Sequence, residues 1–123
     1  MENCEFTYKS LFSLVKELMK LINWVNNDYS FNLLVDYGSF KRVAGIFILE
    51  QLYLNKDVYD KSKTFNENLR LVLGDKDTIN FTKQNVEDIL MRYKEQDEKG
   101  LFIEMLKNSI DFFKDIREEG YHI

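Results

Sequence analysis

No proline occurs in this chain of 123 residues, where average usage of about 5% would place roughly six. Proline breaks helix interiors and marks turns, so its absence fits long helices joined through glycine and Asx turns. There is one cysteine, Cys4, and one histidine, His122. A single thiol makes no intrachain disulfide. The two residues, at opposite ends of the chain, make no zinc site of usual composition, which takes several such ligands. Gly74 and Gly100 stand alone, and neither is followed by the Lys-Ser/Thr pair of a phosphate-binding loop. The longest apolar run, Val43–Leu49, is seven residues, far short of the roughly 20 a membrane-spanning helix needs. Met1-Glu2-Asn3-Cys4-Glu5 lacks the basic start of a signal peptide. The expectation is a cytoplasmic protein without membrane association.

What is present points to one folded domain, residues 1–123. Hydrophobic residues make up 45%, with ten Phe, seven Tyr and Trp24, which is ample for a core and too much for a disordered chain. Lys, Asn, Ile, Phe and Tyr are abundant beside a single alanine, Ala44, a composition common in phage and mobile-element proteins. Net charge is −4. Residues 1–63 carry eight basic and eight acidic side chains, and residues 64–123 carry nine and thirteen. Neither half is net basic, so a nucleic-acid partner, which asks for a basic footprint, ranks below a protein partner, itself basic.

Periodicity predicts an all-α bundle of five or six helices. Tyr8, Leu11, Phe12, Val15, Leu18, Met19, Ile22 and Val25 recur at helical spacing, predicting a helix over 8–26. Ser30 caps a short predicted helix, Phe31–Tyr37, that Gly38 ends. A helix over 39–55 is apolar nearly all round, with Lys41, Arg42, Glu50 and Gln51 scattered about it, and belongs at the centre of the bundle. Gly45 within it is expected to mark the close approach of a neighbouring helix. Residues 55–63 read as a surface loop anchored by Val58 and Tyr59. Thr64-Phe65-Asn66-Glu67 has the form of a capping box opening a helix to Leu73. The alternative is a small β-hairpin at 69–82, turning at Gly74–Asp77, which would make the fold α+β. Thr82 caps a helix over 83–99, with Phe81 and Val86 as a hydrophobic staple. The last helix, 101–119, carries Phe102, Leu106, Ile110, Phe113 and Ile116 on its apolar half.

Arg42-Val43-Ala44-Gly45-Ile46-Phe47 resembles the central-helix motif of Bcl-2-like proteins. Lys41 stands where that motif has its glycine, and the likeness assigns no family.

Candidate sites are few. His122 follows Gly120 on a short tail, a poor place for a rigid catalytic base. No catalytic, cofactor or metal set is assigned, and the chain is not expected to be an enzyme. The best chemical feature is the acidic stripe of the last helix, Glu104, Asp111, Asp115 and Glu118, which offers a charged face to a basic partner. Lys107 and Lys114 flank it at pairing distance, the ordinary arrangement of a solvated helix face. Trp24 falls on the polar side of the first helix, where an exposed indole would anchor an interface. The functional expectation is a small interaction protein of inhibitor, immunity or adaptor type, using these acidic and aromatic residues. A nucleic-acid-binding regulator built on Lys9, Lys16, Lys20, Lys41 and Arg42, acting as a dimer, is the alternative. A divalent-metal hydrolase on the acidic stripe comes third.

Overall fold

The computed structural model describes residues 2–3, 6–24, 40–74 and 80–118, with all their side chains except those of residues 2–3, 21–24, 80, 117 and 118. The fold is an all-α bundle. Its helices are α1 (Tyr8–Trp24), α2 (Phe40–Leu54), α3 (Phe65–Leu73), α4 (Lys83–Glu98) and α5 (Phe102–Glu118). The expected short helix at 31–37 lies outside the described residues. Extended pairing among the described residues amounts to one antiparallel ladder, β1 (Glu2–Asn3) with β2 (Asn80–Phe81), in the register Glu2 to Phe81 and Asn3 to Asn80.

The central helix is where the apolar pattern places it. Val43, Ala44, Gly45, Ile46, Ile48, Leu49 and Leu52 of α2 are all buried. The helix packs on each of the other four described helices, most extensively on α5. Burying a Val, Leu or Ile side chain stabilises by about 1.5–3 kcal/mol, so the five such residues of α2 contribute on the order of 10 kcal/mol before chain entropy is counted. Gly45 is a point of contact. A Cβ there would stand 2.4 Å from Leu14 Cδ2 and 3.2 Å from Phe6 Cε1, which is the close approach of α1 that the sequence predicts. At the start of α1, three rings from three helices close the core: Tyr8 stacks on Phe113 at 5.1 Å, and Phe65 meets both edge-on at 5.8 and 6.2 Å.

The β-hairpin alternative at 69–82 is overturned. Thr64 accepts a hydrogen bond from the Glu67 amide, and Gly74 closes the helix by donating to the Arg70 carbonyl at 2.8 Å. Between those caps, Phe65, Asn68 and Leu69 are buried on one face, a helical spacing that the imperfect strand alternation around Val72 could not supply. Asn80-Phe81 pairs with the first residues of the chain, not with 69–73. Phe81 instead seals the core against Phe47 (5.7 Å, edge-on).

The loop over 55–63 is held differently from the expectation. Tyr59 is half-buried and sits edge-on to Phe112 at 6.1 Å, but Val58 is 50% exposed and anchors nothing. The anchor is Asn68, which is fully buried. Its Oδ1 accepts from the Asp60 amide at 2.7 Å, and its Nδ2 donates to the carbonyls of Asp60 and Thr64 at 2.8 and 3.0 Å. One amide side chain thus satisfies backbone groups that a buried turn would otherwise strand.

Candidate functional site

The corner between α4 and α5 builds a surface groove. Thr82 and Asn85 form a reciprocal capping box that starts α4, and the apolar pair flanking it, Phe81 and Val86, is buried. At the other end, the Leu101 amide donates to the Gln96 carbonyl at 2.8 Å and the Gly100 amide to the Asp97 carbonyl at 2.9 Å. Gly100 takes φ +71, a left-handed conformation that glycine adopts without a Cβ penalty. This turn folds the end of α4 back beside the start of α5. Between them lies a shallow groove of about 650 Å³, lined by Asp97, Gly100, Ile103, Glu104, Lys107, Asn108 and Asp111.

Two of the residues singled out from the acidic stripe, Glu104 and Asp111, therefore share one groove, roughly 10 Å apart along the helix axis. Asp115 is exposed on the same helix but does not line the groove. The side chains of Glu118 and Trp24, the last residues of α5 and α1, lie outside the described residues. Asp97 is an addition that no helical wheel of α5 could supply, because it arrives from α4 through the corner. Among the described residues, Asp97, Glu104, Asp111 and Asp115 form no ion pair, and neither Lys107 nor Lys114 pairs with them as expected of a solvated face.

The electrostatics of the groove favour an incoming cation. Partial burial, with the neighbouring Glu98 charge second, pushes the Asp97 carboxyl above its ordinary range. Asp97 also sits near the C-terminal end of α4, where the helix dipole opposes negative charge. The arrangement is not a metal cage: among the described residues no three Asp, Glu, His or Cys side chains come together closely enough to hold an ion.

A second cleft, of about 250 Å³ between α1 and the start of α2, is lined by Phe6, Ser10, Ser13, Leu14, Glu17, Lys41 and Arg42. Arg42 is joined there to Glu17. The cation best placed to strengthen a basic patch is thus held by the carboxylate that interrupts it. Lys9, Lys16, Lys20 and Lys41 are exposed, and Lys16 lies over the Phe12 ring at 5.3 Å.

A third cluster was not foreseen. Glu50 of the central helix is 3% exposed, and its Oε1 accepts from Arg92 Nη2 at 2.6 Å and from the Tyr93 hydroxyl at 3.2 Å. The guanidinium rests over the rings of Phe47 and Tyr93, at 5.7 and 5.3 Å. Burial raises the Glu50 carboxyl above its usual range, and the pull of Arg92 and the hydrogen bonds from Tyr93 and Gln51 offset this only in part. Burial, and then the Glu50 charge, likewise push the Tyr93 phenol well up. The sequence held one signal for this cluster: a carboxylate on a helix that is otherwise wrapped must find a cation and a donor.

No helix among the described residues is long and apolar enough to cross a membrane. Comparison with protein families, with curated proteins and with solved structures returns no match.

Proposed function

We propose that this chain is a small interaction protein, of inhibitor, immunity or adaptor type, that takes a basic segment of a protein partner into the groove at the α4–α5 corner. The observation that carries the reading is that three carboxylates, Asp97, Glu104 and Asp111, face one groove with Ile103 beside them and no ion pair among the described residues. An arginine or lysine entering it meets unpaired anions and loses little of its charge stabilisation, while its aliphatic stem can lie on Ile103. Lys107, the groove's one cation, restricts the fit to a segment with its basic residues spaced around it. Asp115 and Glu118 would extend the acidic surface along α5, and Trp24 would act as a separate aromatic anchor.

The test uses the full chain, tagged, as wild type, as the triple variant Asp97→Lys/Glu104→Lys/Asp111→Lys, and as Trp24→Ala. A partner captured from the native host is purified, and its affinity for each is measured at low salt and at about 1 M salt, where the Debye length falls to about 3 Å. The reading expects the triple variant to lose binding and the wild type to weaken as salt rises. Undiminished binding by a folded triple variant removes the groove from the proposal. Binding of mixed-sequence DNA or RNA by the wild type, lost on Lys41→Glu, would replace this reading with the nucleic-acid one.

A further inference from the structure

We propose that the Glu50–Arg92–Tyr93 junction is a proton-operated latch: ionised Glu50 holds Arg92 against the rings of Phe47 and Tyr93, and uptake of one proton by Glu50 releases Arg92 while α2 and α4 stay docked.

The geometry supplies each part. Glu50 is sealed in the central helix, yet its one cationic partner has a side chain 45% exposed to solvent. The pair therefore joins a carboxylate that gains by losing its charge to a guanidinium that can leave without being stranded. From α4, the groups facing Glu50 are Arg92 and Tyr93, and from its own helix the side chain of Gln51. Among the described residues, no charged group from α1, α3 or α5, which cover the rest of α2, enters its ionisation balance. The step is a simple protonation: a proton from solvent adds to the Glu50 carboxylate, and the junction passes from neutral to a single positive charge carried by Arg92.

A released Arg92 would have a carboxylate to turn to on its own helix. Asp88 lies one turn earlier on the exposed side of α4, hydrogen-bonded to Gln84 at 2.8 Å. An acid four residues before a base is the favourable order for a helix pair. In the latch the guanidinium would pass from Glu50 toward Asp88 on protonation, the charge of Glu50 selecting between the two carboxylates.

The sign of the coupling follows from the folded-state shift. The Glu50 carboxyl is raised above its ordinary value of 4.5. The stability it contributes is therefore fully present below pH 4.5 and is lost as pH rises through its folded-state value. Mild acidification from neutral pH firms the fold and frees Arg92 together. Asp97 is raised as well and adds a change of the same sign, so a variant of Glu50 is needed to separate the two.

The experiment is a pH titration of the full chain by NMR, following the side-chain carboxyl carbon of Glu50 and the Nε–H of Arg92, in wild type, Glu50→Gln and Asp88→Asn. The latch expects Glu50 to titrate with a midpoint above 4.5 and the Arg92 signal to shift with the same midpoint. In Glu50→Gln the Arg92 transition disappears and the rise in melting temperature on acidification flattens. In Asp88→Asn the Arg92 shift keeps its midpoint and changes its acid endpoint. A wild-type Glu50 midpoint at or below 4.5 overturns the proposal, as does an Arg92 transition that persists in Glu50→Gln. The wild-type titration decides alone should either variant fail to fold.

Discussion

Gly45 offers the sharpest test of how the bundle is packed, because alanine and leucine at that position part ways. The Cβ of either residue would stand 2.4 Å from Leu14 Cδ2 and 3.2 Å from Phe6 Cε1. Carbon atoms attract best near 3.5–4.0 Å, so the first distance cannot persist. Leu14 Cδ2 is the far end of a flexible side chain, half-buried and bordering the cleft with Ser10, Ser13 and Glu17. It can turn toward that space for about 0.5–1.5 kcal/mol of rotamer strain. Alanine recovers about 1 kcal/mol through its better helix propensity, so Gly45→Ala should lie within about 1 kcal/mol of the wild type. Leucine has no such exit. Its branch needs the volume of both Leu14 and Phe6, and overpacking of this kind destabilises by about 1–3 kcal/mol. At roughly 4 °C per kcal/mol for a chain of this size, the melting temperature should fall by roughly 4–12 °C. The assay is thermal and urea unfolding by far-UV circular dichroism on four proteins: wild type, Gly45→Leu, Leu14→Ala and the double variant. Truncating Leu14 makes room for the new side chain, so the double variant should be more stable than the sum of its parts by about 1 kcal/mol or more. A Gly45→Leu protein melting like the wild type, or an additive cycle, would refute the contact between α1 and α2.

Two more expectations concern single polar groups. Asn68→Ala should destabilise by about 1–3 kcal/mol by stranding the backbone groups of residues 60–64, and Asn68→Asp by more, since a carboxylate would face the Asp60 and Thr64 carbonyls; urea midpoints rank the two, and limited proteolysis should open the chain within 55–63. The Tyr59 hydroxyl is buried without a hydrogen-bond partner among the described residues, and burial holds the phenol up at about 12 against an ordinary 10.0. Its neutral form is favoured by the fold, so its contribution is full below pH 10 and is lost as pH rises through about 12. Tyr59→Phe should keep or raise the melting temperature at neutral pH and carry the folded state further into alkali; a clear loss of stability would mean that the hydroxyl has a partner.

The helices could be read directly because their signals are local. A stripe at helical spacing marks α1 and α5, and Thr64, Gly74, Thr82 and Gly100 punctuate α3 and α4 within a few residues of the groups they cap. What the pattern left open was decided by partners distant in sequence. Asn80-Phe81, within the second arm of the expected hairpin, found its mate at Glu2-Asn3, a pairing that no window around residue 80 encodes. Glu50 looked like one polar residue among four on an apolar helix until Arg92 and Tyr93 arrived from α4. The spacing of Glu104 and Asp111 puts them on one side of α5, but it cannot supply the groove, because its third carboxylate, Asp97, belongs to the preceding helix. Val58 was misjudged for the opposite reason: an apolar residue in a short loop need not be an anchor when a neighbouring Asn can hold the backbone itself.

The placement of α2 governs how the molecule comes apart. Its neighbours include α1, which precedes it in the chain, and α3, α4 and α5, which follow. No fraying from either end can free it, and removing any one neighbour bares apolar surface that the rest cannot cover. Unfolding should therefore be cooperative, with the amides of α2 exchanging with solvent only through the global transition. Its hydrogen-exchange free energy is then a direct reading of the stability of the whole domain.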